Sequence, residues 1–406
     1  MTATPATERM QSSMPDTSAD RRTSTAESPD TAHSPDDAHT PEDAQTFEVA
    51  VIGGGAGGLA ASVALARSLR SVVVIDAGQP RNSSSPHAHN LLGNEGINPR
   101  DLIAKGRAEA EGYGVTFVDA TVTDARTIAA NDAAGADPDA IVTDARTIES
   151  DPNPAEPAAE HRFELTTSAR VIIRAKRIII ATGLTDELPN IPGLAERWGE
   201  TVLHCPYCHG YEVRGQHIGV VGSTAMSYHQ AMLFSQLSDG VSFIRHDAPE
   251  PDAEQTKMLD SLGIEYVDAH IAEVSHTEAG AVLALTANDA RDGSVNLAQD
   301  SAEAEAETET QASAETAATR TFDSLTVSAF ARANSELFTQ LGGTVADHPS
   351  GMGSYIPTHM AGQTDVPGVW AVGNSADVSA MVVASAASGV LAGAQVNADL
   401  IMSSIG

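Results

Sequence analysis

The stretch Glu48-Val49-Ala50-Val51-Ile52-Gly53-Gly54-Gly55-Ala56-Gly57-Gly58 runs from an apolar strand pattern straight into glycines, and a helical pattern, Leu59 to Leu69, follows it. Each glycine of the G-x-G-x-x-G frame has its own physical cause. Gly53 permits a tight turn, Gly55 lets a pyrophosphate approach bare backbone, and Gly58 lets the helix pack on the strand. Together with Ala56 and Gly57 they put a helix N-terminus, with its unpaired amides, where phosphates bind. Ser71 to Ile75 reads as the second strand and ends in Asp76, placed to accept a hydrogen bond from a ribose hydroxyl. The whole unit predicts a dinucleotide site in an α/β fold, whereas an isolated glycine triplet would signal no more than a packing turn.

The same strand-turn-helix grammar returns later in eroded form. Ile218 to Val221 enters Gly222-Ser223-Thr224-Ala225-Met226-Ser227, then a helical Gln230 to Leu237 and a strand, Val241 to Arg245. The first glycine survives as Gly222, while Thr224 and Ser227 stand at the second and third glycine positions. Between the two units, Arg162 to Thr166 and Val171 to Ala175 read as a hairpin, and Arg177 to Ile180 as a separate buried strand ending in Ala181-Thr182-Gly183. Pro189, Ile191, Pro192 and Gly193 have the composition of a linker. Arg81-Asn82 and His87-Ala88-His89-Asn90 form a loop before a helix, Pro99 to Gly112, and both loop histidines are expected in solvent. Near the end, Val366 to Asn374 is a strand and turn tipped by Gly373 and Asn374. The Ala, Ser and Gly content of Ser379 to Val396 fits a packed helix better than a membrane span.

Both cysteines of the chain fall in His204-Cys205-Pro206-Tyr207-Cys208-His209-Gly210-Tyr211. Cys-x-x-Cys brings two sulfurs close enough for a small disulfide and invites redox chemistry. Three other readings fit the letters less well. A c-type haem attachment would need export. A glutaredoxin-like pair would open a long helix, but Val213, Arg214 and Gly215 lead quickly into a strand. A zinc centre would need two more ligands, and His204 and His209, as chain neighbours of the thiols, converge poorly on a tetrahedral ion.

The chain of 406 residues is long enough for two domains, and its net charge of -32 argues against nucleic-acid or anionic-membrane partners. Residues 1–45 are Ser, Thr, Ala, Pro and acids, with too little apolar content to fold, and predict a disordered acidic tail. The start lacks the basic and apolar run of a signal peptide, so the cytoplasm is the expected compartment. Residues 121–160 carry Val122 to Ile128 repeated identically as Val142 to Ile148, and read as a duplication within a surface excursion. Residues 287–319 are acidic and of low complexity, a second expected disordered insertion, with the fold resuming near Leu325.

In this order, the motifs resemble the thioredoxin reductase-like branch of the pyridine-nucleotide disulfide oxidoreductases, over roughly residues 47–406 outside the insertions. The resemblance implies two Rossmann-like dinucleotide-binding domains, the second inserted into the first. An FAD-binding domain would span 46–197 and 325–406, and an NAD(P)-binding-like domain with the Cys pair would span 198–324. It implies FAD on Gly53, Gly55, Ala56, Gly57, Gly58 and Asp76, with Ala181, Thr182, Gly183, Gly373 and Asn374 around it. Cys208 would then face the flavin and Cys205 exchange with substrate, in a homodimer.

Two departures redirect the expected activity. Where thioredoxin reductases carry Asp after the second cysteine, this chain has His209, which titrates nearer neutrality and suits acid and base work beside a sulfur; a turn or cap histidine is the plainer reading. The nucleotide half replaces turn glycines by Thr224 and Ser227, and offers only Arg245 and His246 beside Asp247, Glu250 and Asp252, which argues against tight NADPH binding. With Cys205-Pro206-Tyr207-Cys208-His209 and a weak nucleotide site the chain resembles the dithiol-oxidase branch of this family, and that resemblance implies FAD-dependent dithiol oxidation linked to oxygen, on a small dithiol or a thioredoxin-like protein. The alternatives are an NADPH-dependent thioredoxin-disulfide reductase and, from another class, a flavin-binding redox sensor without turnover.

Overall fold

The computed structural model describes residues 44–128, 162–278, 280–287 and 318–405, all within the unit Pro41–Gly406. Nearly all of the expected tail, the second copy of the repeat and most of the acidic run lie outside these residues.

The chain begins with β1 (Gln45–Ile52), α1 (Ala56–Arg67), β2 (Val72–Asp76), α2 (Pro99–Gly112) and β3 (Thr116–Asp119), followed by β4 (Val122–Ile128), β5 (Arg162–Thr167) and β6 (Ile172–Ile180). These strands form one sheet in the order β3-β2-β1-β6-β5-β4; β1 is parallel to β2 and β6, whereas β4, β5 and β6 pair antiparallel. Val49 and Val51 of β1 face one buried layer and Ala50 and Ile52 the other, which is why the second half of the strand is apolar at every position instead of alternating.

After β6 the chain leaves through β7 (Leu184–Glu187) and builds β8 (Val202–Leu203), α3 (Pro206–His209), β9 (Ile218–Val221), α4 (Met226–Phe234), β10 (Val241–Ile244), α5 (Ala253–Ser261) and β11 (Glu265–Val267). A three-stranded antiparallel sheet follows, β12 (Ala269–Thr277), β13 (Gly280–Ala287) and β14 (Ala318–Phe322), and then β15 (Ser324–Val327). The second parallel sheet has the order β11-β10-β9-β15-β8. The chain returns through β16 (Phe330–Ala333), antiparallel to β7, so outgoing and returning segments form one two-stranded ribbon. Then come α6 (Glu336–Gln340), the short pair β17 (Ala346–Asp347) and β18 (Ser354–Tyr355), β19 (Val369–Ala371), which rejoins β6 of the first sheet, and α7 (Val382–Ser403). One dinucleotide-type layer system is thus inserted into another, as the family resemblance implies.

The small residues of α7 have a packing cause. A Cβ on Gly389 would stand 2.0 Å from the Gly57 carbonyl oxygen, and one on Gly393 would stand 2.9 Å from that of Ala61, so these glycines let α7 lie against α1. No helix among the described residues is long and apolar enough to cross a membrane.

Four expectations need correction. Residues 122–128, read as part of a surface excursion, are β4, with Val122, Ala125 and Ile128 buried; a bulge between Val122 and Asp124 disturbs the two-residue period that would have marked a strand. The hairpin strand at 171–175 and the strand at 177–180 are one element, β6. The expected break at Lys176 falls in the middle of β6; Arg177 beside it is buried, with Nε donating to Asp399 and Nη2 donating to Ser403 Oγ at 2.7 Å. The fold resumes at Ala318 and not near Leu325, and β15 pairs with β8 and β9, so the expected boundary at 325 falls inside a strand of the second sheet. Tail residue Gln45 already belongs to β1.

Candidate active site

The first glycine turn has the geometry its sequence predicts. Gly53 sits at φ +105°, where an added Cβ would stand 2.3 Å from the Ala181 carbonyl oxygen, and a Cβ on Gly58 would stand 1.9 Å from that of Gly53. Gly55, by contrast, has nothing within 4 Å of an added Cβ and caps α1 with no side-chain hydrogen bond, so the first-turn amides open outward. The Gly54 amide donates to Asp76 Oδ1 at 3.0 Å, fixing the carboxylate at the end of β2. This uncapped, bare-backbone cradle with an acid beside it fits the FAD that the motif implies.

The turn opens into a cavity of about 1120 Å³ whose wall includes both cysteines, His209, Asp76, Thr182 and Gly373. Every sequence-predicted site residue lines it except Gly58, which is spent on helix–strand packing. Thr182 Oγ1 donates to the Asn334 carbonyl at 2.6 Å, tying the end of β6 to the returning ribbon. Asn374, expected among the residues around FAD, directs its amide nitrogen at the carbonyls of Asp377 (3.0 Å) and Ala380 (2.9 Å), leaving its oxygen toward Arg81 at 3.4 Å. Arg81 is itself held by two bonds to Asp186, at 2.7 and 2.6 Å.

Cys205 and Cys208 form a disulfide with Cα atoms 5.2 Å apart. Cys205 caps the single turn α3, Pro206 starts that turn, and the amides of Cys208 and His209 both donate to the Cys205 carbonyl at 3.2 Å. His204 donates from Nδ1 to the Val327 carbonyl at 3.1 Å, and burial lowers its proton affinity. It anchors the turn to β15 and does not join a metal set with the sulfurs.

The loop between β2 and α2, which the sequence left unexplained, docks on this turn. Asn90 Nδ2 donates to the Tyr207 carbonyl at 2.6 Å, and Ser85 Oγ lies 2.7 Å from His209 Nε2. His87 is exposed as expected, but His89 is largely covered, with Nδ1 2.6 Å from Glu95 and Nε2 3.5 Å from Glu212. Its ring meets that of His209 edge-on at 6.0 Å. His209 is half-buried, and burial holds its pKa below the usual imidazole range, with Glu212 opposing that shift and His89 and His87 adding to it. At neutral pH it is therefore a neutral ring able to take a proton.

The second turn differs from the first. Buried Ser227 turns its hydroxyl oxygen to the amides of Ser223 (3.1 Å) and Thr224 (3.2 Å), and Thr224 Oγ1 accepts from the Met226 amide at 3.2 Å. Amides that would face a pyrophosphate are thus already satisfied by the chain's own hydroxyls. Arg245 Nε is bound to Asp268 at 2.6 Å, and burial brings His246 to about 4, so His246 is uncharged. These residues do not fit a 2'-phosphate.

Among the described residues one grouping of metal-ligating type, His246, Asp247 and His270, brings its donor atoms within 4.8 Å. His246 Nδ1 accepts from the Ile271 amide at 3.1 Å, so a neutral ring keeps its proton on Nε2, the atom facing Asp247. The bare nitrogen a metal requires is the one already occupied.

The profile of the family described as pyridine nucleotide-disulphide oxidoreductase matches residues 47–389. The crystal structure of HlmI is similar at 32% identity and a TM-score of 0.68, covering 89% of this chain and 94% of that one. An oxidoreductase from Agrobacterium tumefaciens is similar at 28% identity and a TM-score of 0.68, over 88% and 99% of the two chains. The thioredoxin reductase tcpT of Claviceps purpurea is 30% identical over 208 residues, 48% of this chain and 54% of that protein. The chain spans about half the length of the curated relatives it matches.

Proposed function

The chain belongs to the pyridine nucleotide-disulphide oxidoreductase family, as a thioredoxin reductase-like, FAD-binding oxidoreductase, and from that membership we propose that it oxidises substrate dithiols through Cys205–Cys208 and passes the electrons to oxygen. One observation carries the choice of electron partner: the first turn is open, while the second is filled by Ser227 and Thr224.

In the proposed reaction His209 takes the proton of a substrate thiol, and the resulting thiolate attacks Cys205. A bond forms between the substrate sulfur and Cys205 as the Cys205–Cys208 bond breaks, and Cys208 leaves as a thiolate. The second substrate thiol gives its proton to the Cys208 thiolate and attacks the substrate sulfur of this mixed disulfide, releasing Cys205 as a thiolate. The product is a substrate disulfide, with two electrons now on the cysteine pair. FAD, which the first glycine turn and Asp76 would hold, would supply a two-electron acceptor for that pair and a route from it to oxygen, with peroxide as the product. The roles of Cys205 as the exchanging sulfur and Cys208 as the flavin-facing one follow the family pattern.

Reduction of a thioredoxin-type disulfide by NADPH is the alternative, favoured by the names of the curated relatives. It requires the second turn to surrender its internal hydrogen bonds to a pyrophosphate. Each bond to a charged group that cannot be made costs about 1.5–3 kcal/mol, so two of them remove about two orders of magnitude or more of affinity. A redox sensor would titrate its thiols stoichiometrically without turning over.

Air-saturated holoprotein given dithiothreitol is expected to release peroxide continuously, and Cys208→Ser to retain FAD but lose that turnover. Turnover undiminished in Cys208→Ser would remove the disulfide from the reaction.

A further inference from the structure

Ser85 is buried in the loop between β2 and α2, and its hydroxyl oxygen makes two short contacts, each of 2.7 Å. One is to the carbonyl oxygen of His87, the other to Nε2 of His209. A hydroxyl carries one proton, and a carbonyl oxygen can only accept. The Ser85 proton is therefore committed to His87, and Ser85 Oγ must accept from an N–H on His209 Nε2. In the neutral ring the lone pair then lies on Nδ1, which makes no hydrogen bond among the described residues.

The loop is held so that Ser85 cannot readily turn away. Asn98 Nδ2 donates to the Pro86 carbonyl at 3.1 Å, His87 Nδ1 contacts the Gly96 carbonyl at 3.0 Å, and Asn90 reaches across to the Tyr207 carbonyl at 2.6 Å. The ionisable groups facing His209 are Glu212 from its own side and His87 and His89 from the loop, with Glu95 paired to His89. None of them hydrogen-bonds His209, so among the described residues Ser85 is the side chain that selects its tautomer.

We propose that Ser85 is a positioning residue which holds His209 in the Nε2–H form, so that the proton of the attacking thiol is received at Nδ1. The proposal rests on the reading of His209 as proton acceptor. In the step it refines, the substrate S–H bond breaks, Nδ1 gains the proton, and the ring becomes an imidazolium whose Nε2–H still donates to Ser85. A ring with its proton on Nδ1 would offer its lone pair to Ser85, where no thiol can reach it.

The test is long-range proton–nitrogen NMR of oxidised, FAD-loaded protein labelled with 15N-histidine, with the His209 signals assigned by their loss in His209→Asn. The wild-type ring is expected as Nε2–H. Ser85→Ala should populate the Nδ1–H form and lower kcat for dithiothreitol about 10- to 100-fold with little change in KM, a loss no larger than the roughly 10²- to 10⁴-fold a general base supplies, because the base itself is kept. Ser85→Thr, which keeps the hydroxyl, should retain both tautomer and rate. An Nδ1–H ring in the wild type beside an inactive His209→Asn overturns the role of Ser85 alone, as does a Ser85→Ala protein with wild-type tautomer and kcat. Wild-type turnover in His209→Asn instead overturns the proton-acceptor reading, and with it the purpose assigned to Ser85.

Discussion

His209 illustrates how a residue adjacent to a reactive sulfur gets its properties from a distant part of the chain. Burial disfavours its charged form and the Glu212 carboxylate favours it, burial being the larger effect. As a base it works while neutral, so turnover should fall with acid only through a pKa below the ordinary value of about 6.5. Glu212→Gln removes the charge that stabilises the imidazolium, and the acid limb of kcat/KM should move to still lower pH. A limb above the ordinary histidine value, or one that moves upward in this variant, would contradict the assignment. Cys205, Cys208 and His209 were legible because their chemistry sits in a window of five residues. Ser85 and His89 were not: Ser85 and His209 are 124 positions apart, and nothing local marks two loop residues as destined for the same cavity wall. Asn374 lines the cavity, but its amide is spent on loop carbonyls, a commitment that only coordinates reveal.

At the level of elements, glycines that look equivalent in the motif have separable physical roles. Gly55 has extended backbone, φ -72° and ψ -177°, and open space where a side chain would go, whereas Gly58 faces the Gly53 carbonyl. Gly55→Leu should therefore fold with a near-normal apoprotein melting temperature but purify colourless, because the side chain takes the pyrophosphate's place. Gly58→Ala should instead lose stability, by about 1–3 kcal/mol as for an overpacked core, visible as a lower melting temperature. Flavin retained at wild-type stoichiometry in Gly55→Leu would show that this turn does not hold the cofactor. Strand-turn-helix units were readable because the buried parts of their strands are predominantly apolar. The misread elements broke that rule for identifiable reasons: a bulge in β4, the charged Lys176 and Arg177 within β6, and an acidic run that concealed β14 beside it.

Across the whole molecule, the two internal segments outside the described residues each bridge the ends of an antiparallel pair. Ile128 pairs with Arg162, and Leu285 pairs with Ala318, so each segment takes the place of a hairpin turn. Replacing residues 129–161 and 288–317 by short turns, and removing residues 1–43, should leave flavin content and dithiol turnover within about twofold, since loop length changes closure entropy only slowly. Loss of soluble yellow protein would show that one of these segments contributes to the body. The two dinucleotide units were legible from their glycine turns, whereas their nesting came from the family resemblance, since two turns flanking a Cys pair would fit tandem domains equally well. Anaerobic rapid mixing of the oxidised holoprotein with NADPH in one syringe arrangement, and with dithiothreitol in another, tests the central claim most directly. Fast loss of the oxidised flavin spectrum with dithiothreitol and slow or absent loss with NADPH is the expected result; bleaching by micromolar NADPH within milliseconds would contradict it.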